Sequence, residues 1–206
     1  MVVTGLSGRR PALPRTERER IVLDTAARLF YARGVHEVGM DELVRETGLG
    51  KATVYRLYPT KDALVAGYLD RLARQILAEV DGQSAALPPA DALRAVLAAV
   101  RADIARPGFR GCAFNNASIE YDDPRHPARA AAREYRTALH ARLRTLADRL
   151  LPDGPEQARA LGGQLAVLVD GAYTNAAHLG PQGPAADGLA LAGHLIDQAE
   201  NSGERR

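Results

Sequence analysis

The chain has 206 residues, 46% hydrophobic and 25% charged, enough to build one large or two small globular units with real cores. Its single cysteine, Cys112, excludes an internal disulfide, and no Cys/His spacing fits a metal site. No apolar run approaches the roughly 20 residues that span a bilayer, and residues 1–14 lack the apolar core of a signal peptide, so the expected location is the cytoplasm.

The net charge is only +2, but it is unevenly placed. Residues 1–61 hold eleven Lys or Arg against seven Asp or Glu, a surplus of +4, and the remainder carries −2. A basic surplus on one segment is the electrostatic footprint of nucleic-acid binding. Arginine supplies almost all the positive charge, and the only two lysines, Lys51 and Lys61, both fall in this basic segment.

Residues 1–15 read as a flexible basic arm, with Gly5, Gly8, Pro11 and Pro14 around Arg9 and Arg10. Such an arm either tracks phosphates and the minor groove or is a tail without a role. Thr16 and Glu19 have the spacing of a capping box for a first helix, in which Val22, Ala26, Leu29 and Phe30 form the buried stripe and Gly34 the stop. Met40, Leu43 and Val44 give a second helix its apolar face. Gly48 ends it in the left-handed conformation that glycine adopts without steric penalty. Leu49 plugs the turn, and Gly50 caps a third helix that turns Val54, Leu57 and Tyr58 inward. Lys51, Ala52, Thr53, Tyr55 and Arg56 are left facing out. That face is small and polar at its start and cationic along its flanks, which suits the DNA major groove. Thr60 caps a fourth helix expected to run to about Val80. Lys61 stands in its first turn, where a cation opposes the helix dipole unless a phosphate meets it.

The run from Leu43 to Leu64 resembles the DNA-binding domain of the TetR family of bacterial transcriptional regulators. The resemblance is carried by the Gly48-Leu49 turn, Lys51, Thr53, Tyr55, Tyr58, Pro59, Thr60, Lys61, Asp62 and Leu64, and upstream by Ala26, Ala27, Leu29, Phe30 and Gly34. It covers roughly the first third of the chain. The sequence departs from the family pattern at Gly39 and Gly50, where a hydroxyl residue is frequent, and at Val44, where alanine is.

Gly82 to Pro89 reads as a polar, proline-marked linker. Beyond it the spacing predicts only helices. Leu93 to Ile104 is stopped by Pro107-Gly108, Cys112 to Tyr121 ends at Asp122-Asp123-Pro124, and Pro127–Leu151 ends in the turn Asp153-Gly154-Pro155. Pro155–Leu179 and Asp187–Ala199 follow. The expected fold is all-α: a three-helix DNA-binding domain with a helix-turn-helix over residues 16–61, then a helical bundle over 62–206 for ligand binding and dimerisation.

Large aromatic and small residues mixed on facing helices leave space, and amides or carboxylates lining it orient a guest. Phe114, Asn116, Glu120, Tyr121 and Tyr173 are the candidate ligand contacts, with His140 and Asp170 among the other polar residues of the bundle; hydrogen bonds between helices would also explain them. Leu161, Leu165, Leu168 and Leu195, with Gly162, Gly163 and Gly171, fit either an intramolecular core or a subunit interface. The resemblance implies the interface, through Leu165, Leu168 and Leu195 of a homodimer. It further implies a repressor that a small molecule releases from a palindromic double-stranded operator. Lys51 and Ala52 would then read bases, and Thr53, Tyr55, Arg56 and Lys61 would hold phosphates. No catalytic, metal or cofactor site is expected. Two other readings stay open: a DNA-binding protein of the same fold with a sealed core and no ligand, and a helical enzyme using Cys112 with a histidine.

Overall fold

A computed structural model describes residues 13–203. Among the described residues the chain forms nine α-helices and no strand. They are α1 (Arg15–Arg33), α2 (Met40–Thr47), α3 (Lys51–Leu57), α4 (Lys61–Ala86), α5 (Pro89–Ala105), α6 (Ala113–Ile119), α7 (Pro127–Leu150), α8 (Pro155–Leu179) and α9 (Pro184–Gly203). Most of the basic arm, residues 1–12, lies outside the described residues.

Local chemistry sets the helix ends from α2 to α4. Gly48 closes α2 at φ 66°, its N–H donating to the Arg45 carbonyl, and Gly50 in extended conformation opens α3. Thr60 starts α4 by accepting the Ala63 N–H at 3.1 Å. The capping box expected at Thr16 and Glu19 does not form. α1 starts one residue earlier, after Pro14, which offers no side-chain acceptor, and Glu19 instead accepts the Tyr58 hydroxyl at 3.2 Å.

The linker expected over Gly82 to Pro89 is helical as far as Ala86. A glycine within a helix costs about 1 kcal/mol relative to alanine, so this last stretch needs tertiary support. It has it: Arg142 forks onto both oxygens of Asp81 at 2.7 Å, and Arg149 donates to the Ser84 carbonyl at 2.8 Å. Only Leu87 and Pro88 separate α4 from α5. α9 likewise extends beyond the expected Asp187–Ala199 at both ends.

Two hydrophobic clusters organise the molecule. The first joins α1–α4 (Val22, Phe30, Leu43, Val54, Leu64, Leu69) to Phe114 and Ala117 of α6 and Ala128 and Ala132 of α7. The second takes Val80, α5, the later part of α7, α8 and α9. α9 folds back over α8 within it, so Leu165, assigned from sequence to a subunit interface, is 1% exposed in the chain's own core with Leu189 and Ile196. Leu168 and Leu195 are partly buried against the same cluster. α7 and α8 approach closely at Gly162, where an added Cβ would lie 3.0 Å from the Arg144 Cα.

Candidate nucleic-acid interface and ligand cavity

The candidate reading surface is the outer face of α3. Lys51, Ala52 and Arg56 are exposed, and Thr53 and Tyr55 half-buried, while Val54 and Tyr58 anchor the helix from behind. Lys51 Nζ lies 2.7 Å from Asp41 Oδ1 of α2 and 5.7 Å from the Tyr55 ring centroid. The hydrogen bond to Asp41 raises the pKa of this amine, which stays cationic. Lys61 Nζ donates to the His36 carbonyl at 3.3 Å; Lys51 opens α3 and Lys61 opens α4 just beyond it. Tyr58 fixes the exit of α3. Burial pushes its phenol up to about 12, keeping it a donor to Glu19. Gly67 of α4 makes room for the ring, since an added Cβ there would sit 2.7 Å from Tyr58 Cε1.

The reading head is tied to the bundle by polar contacts at α6. Both oxygens of Glu120 accept backbone N–H groups of the α1–α2 connection, from Val35 and His36, each at 2.7 Å. The Tyr31 hydroxyl donates to the Gly111 carbonyl at 3.0 Å and accepts the Arg110 N–H at 2.8 Å. Tyr121 stacks on His126 with ring centroids 3.5 Å apart and packs beside His36. Asn116 donates to the Arg110 carbonyl at 2.8 Å. Glu120, Tyr121 and Asn116, expected from sequence at the ligand, stand outside the cavity: these contacts hold the head and shape the turn before α6.

The cavity itself, about 1000 Å³, opens between α1, α4, α5, α6, α7 and α8. Phe114 and Tyr173 line it, and so do His140 and Asp170. Tyr135, an aromatic that the sequence sets among small alanines, lines it too, whereas sequence reasoning missed Tyr31, Tyr68, Asp103, Arg106 and Arg136 on its walls. Their charges are mutually satisfied. Asp103 takes Arg106 Nε at 2.6 Å and the Tyr173 hydroxyl at 3.0 Å, and Arg136 pairs with Asp170 and donates to Asn115 Oδ1 at 2.6 Å. The Arg106 guanidinium also lies 4.5 Å from the Tyr31 ring centroid. The Phe114 and Tyr135 rings stack at 3.8 Å. Cys112 lines the same space, but burial pushes its thiol up, away from the thiolate that redox or nucleophilic chemistry requires. The Asp103–Arg106 spacing of one helical turn was the one signal available in the sequence; the Arg136–Asp170 pair spans two helices and had none.

Among the described residues no helix is long and apolar enough to cross a membrane. A family model described as bacterial regulatory proteins of the TetR family matches residues 22–68, the segment from α1 into α4. The transcriptional regulator EthR of Mycobacterium tuberculosis is 35% identical over 85 residues, an alignment that covers 41% of this chain and 38% of that regulator. Among solved structures, a putative regulator from Streptomyces avermitilis superposes with a TM-score of 0.72 at 28% identity, covering 89% of this chain and 98% of the other. A TetR-family transcriptional regulator from Streptomyces coelicolor superposes with a TM-score of 0.80 at 34% identity, covering 90% of this chain and 97% of that one. With 34% identity over nine-tenths of its length, the chain belongs to the TetR family of DNA-binding, helix-turn-helix transcriptional regulators.

Proposed function

We propose that the protein is a cytoplasmic repressor that binds a palindromic operator as a homodimer and leaves it when a small molecule fills the cavity. One observation carries this reading: α1, α4 and α6 wall the cavity and also hold the reading head. Tyr31 does both within one side chain, its ring on the cavity and its hydroxyl on the Arg110–Gly111 backbone. A guest that favours one arrangement of these helices shifts the population of head positions by its differential affinity, with couplings of about 1–3 kcal/mol.

In the bound state two α3 helices sit in successive major grooves about 34–36 Å apart. Lys51 donates to a guanine and Ala52 meets a thymine methyl. Thr53, Tyr55, Arg56 and Lys61 hold phosphates and set register. The subunits pair through α8 and α9, whose outer faces expose Leu179 (65%) and Leu191 (50%) with Leu168 and Leu195 half-buried beside them. Leu165 has no part in that surface. Selection of bound DNA from a random pool by the purified protein tests the reading. An inverted repeat with half-sites one or more helical turns apart is the expected result; a pool that stays random removes it.

A further inference from the structure

The cavity is long, and its polar and apolar lining residues are sorted along its length. Its lining on α4 runs from Tyr68 to Gln83, about 22 Å at 1.5 Å per residue. At the end nearest α1 and α6 stand Tyr31, Tyr68, Asp103, Tyr135, Arg136 and Tyr173. The other limb is made by Ile76, Val80, Val96, Leu139, Leu143 and Ala166, with Glu79 and His140 exposed at its rim. At the polar end each carboxylate already faces an arginine, Asp103 with Arg106 and Asp170 with Arg136. A charged head placed there would give up its water for partners that are already neutralised. Two donors, however, are unused. The hydroxyls of Tyr68 and Tyr135 make no hydrogen bond among the described residues. Both remain open to the cavity, since Arg18 Nε is the sole sealed and unpartnered side-chain nitrogen or oxygen there. Burial raises both phenol pKa values, so these groups donate and do not ionise.

We propose that the ligand is an uncharged amphiphile: an ester, amide or ketone oxygen accepts from Tyr68 and Tyr135, and a hydrocarbon body lies in the limb between Ile76 and Leu143. The proposal rests on the reading of this cavity as a ligand site and adds the chemistry of its guest.

The test is displacement of a neutral fluorescent probe, aminoanthracene, from the full-length protein by methyl decanoate, decanoate and decylammonium. Methyl decanoate is expected to displace it at a concentration at least about tenfold below either charged analogue, and each methylene removed from the ester chain to weaken it about fourfold. Tyr68→Phe and Tyr135→Phe, singly and together, keep the rings. The double variant is expected to lose about tenfold in ester affinity while binding aminoanthracene as the parent does. The melting temperature of each variant reports whether it is folded. If the probe binds but decanoate or decylammonium displaces it as well as the ester, or the double variant keeps the ester affinity, the amphiphile assignment is overturned and the cavity remains a ligand site. If neither the probe nor any of the three compounds binds, the ligand-site reading fails and this proposal with it.

Discussion

In the free protein Lys51 Nζ sits 2.7 Å from Asp41 Oδ1, so a base or phosphate that takes the lysine must also displace a carboxylate. Asp41→Asn is therefore expected to raise DNA affinity, because one competitor for the cation is gone. Lys51→Ala should relax preference at particular base pairs by about 1–3 kcal/mol. Lys61→Ala should weaken all sequences alike and lower the salt slope by about one. Titrations on operator and scrambled DNA at several salt concentrations separate the three variants; identical behaviour of both lysine variants and the parent would remove α3 as the reading surface. Glu120 offers a second prediction. Its replacement by alanine leaves the N–H of Val35, a residue 1% exposed, and that of His36 without their acceptor, at a cost of about 1–3 kcal/mol for a buried donor, read from urea unfolding. The outward residues of α3 were legible from helical period alone. The Asp41 contact was not, because it joins residues ten apart across a turn, and Glu120 looked like a ligand group because its partners are backbone atoms 84 and 85 positions away.

Neighbouring glycines in α8 separate packing from propensity. A Cβ at Gly162 would press on the Arg144 backbone at 3.0 Å, whereas one at Gly163 meets nothing within 4 Å. Gly162→Ala is expected to destabilise by about 1–3 kcal/mol through overpacking against α7. Gly163→Ala is expected to stabilise by up to about 1 kcal/mol from helix propensity. Thermal unfolding of the two variants checks both signs, and a Gly162→Ala protein as stable as the parent would show that α7 can retreat. The same contrast explains which element boundaries the sequence foretold. α8 is bounded by Gly154-Pro155 and by Gly180 at φ 86°, which are local signals, and its limits were read correctly. α4 outran its expected end because Arg142 and Arg149, sixty-odd residues on, hold its last turns. The Thr16–Glu19 box had the right spacing and lost to a tertiary hydrogen bond from Tyr58.

At the scale of the molecule, the all-α architecture followed from periodicity and punctuation, and the reading head from the run between Met40 and Lys61. The cavity was harder to foresee, since its walls come from six helices and each lining residue, taken alone, reads as an ordinary core or surface position. Subunit pairing can be tested without disturbing the fold. Leu179 is 65% exposed, so Leu179→Arg should leave the melting temperature nearly unchanged, yet sedimentation should show monomer where the parent is dimeric at micromolar concentration. A parent protein that sediments as a monomer would sink the pairing through α8 and α9.

The first hydrophobic cluster does not stop where the DNA-binding motif stops. Phe114, Ala117, Ala128 and Ala132 close the core beneath α1 and α4. A recombination joint placed between α3 and α4 would strip the head of that floor, and a joint at Leu87-Pro88 would keep α4 but still lose α6 and the start of α7. Hybrid regulators assembled by exchanging heads must therefore match these four bundle positions to the incoming helices, so operator preference and bundle are expected to be inherited together more readily than apart.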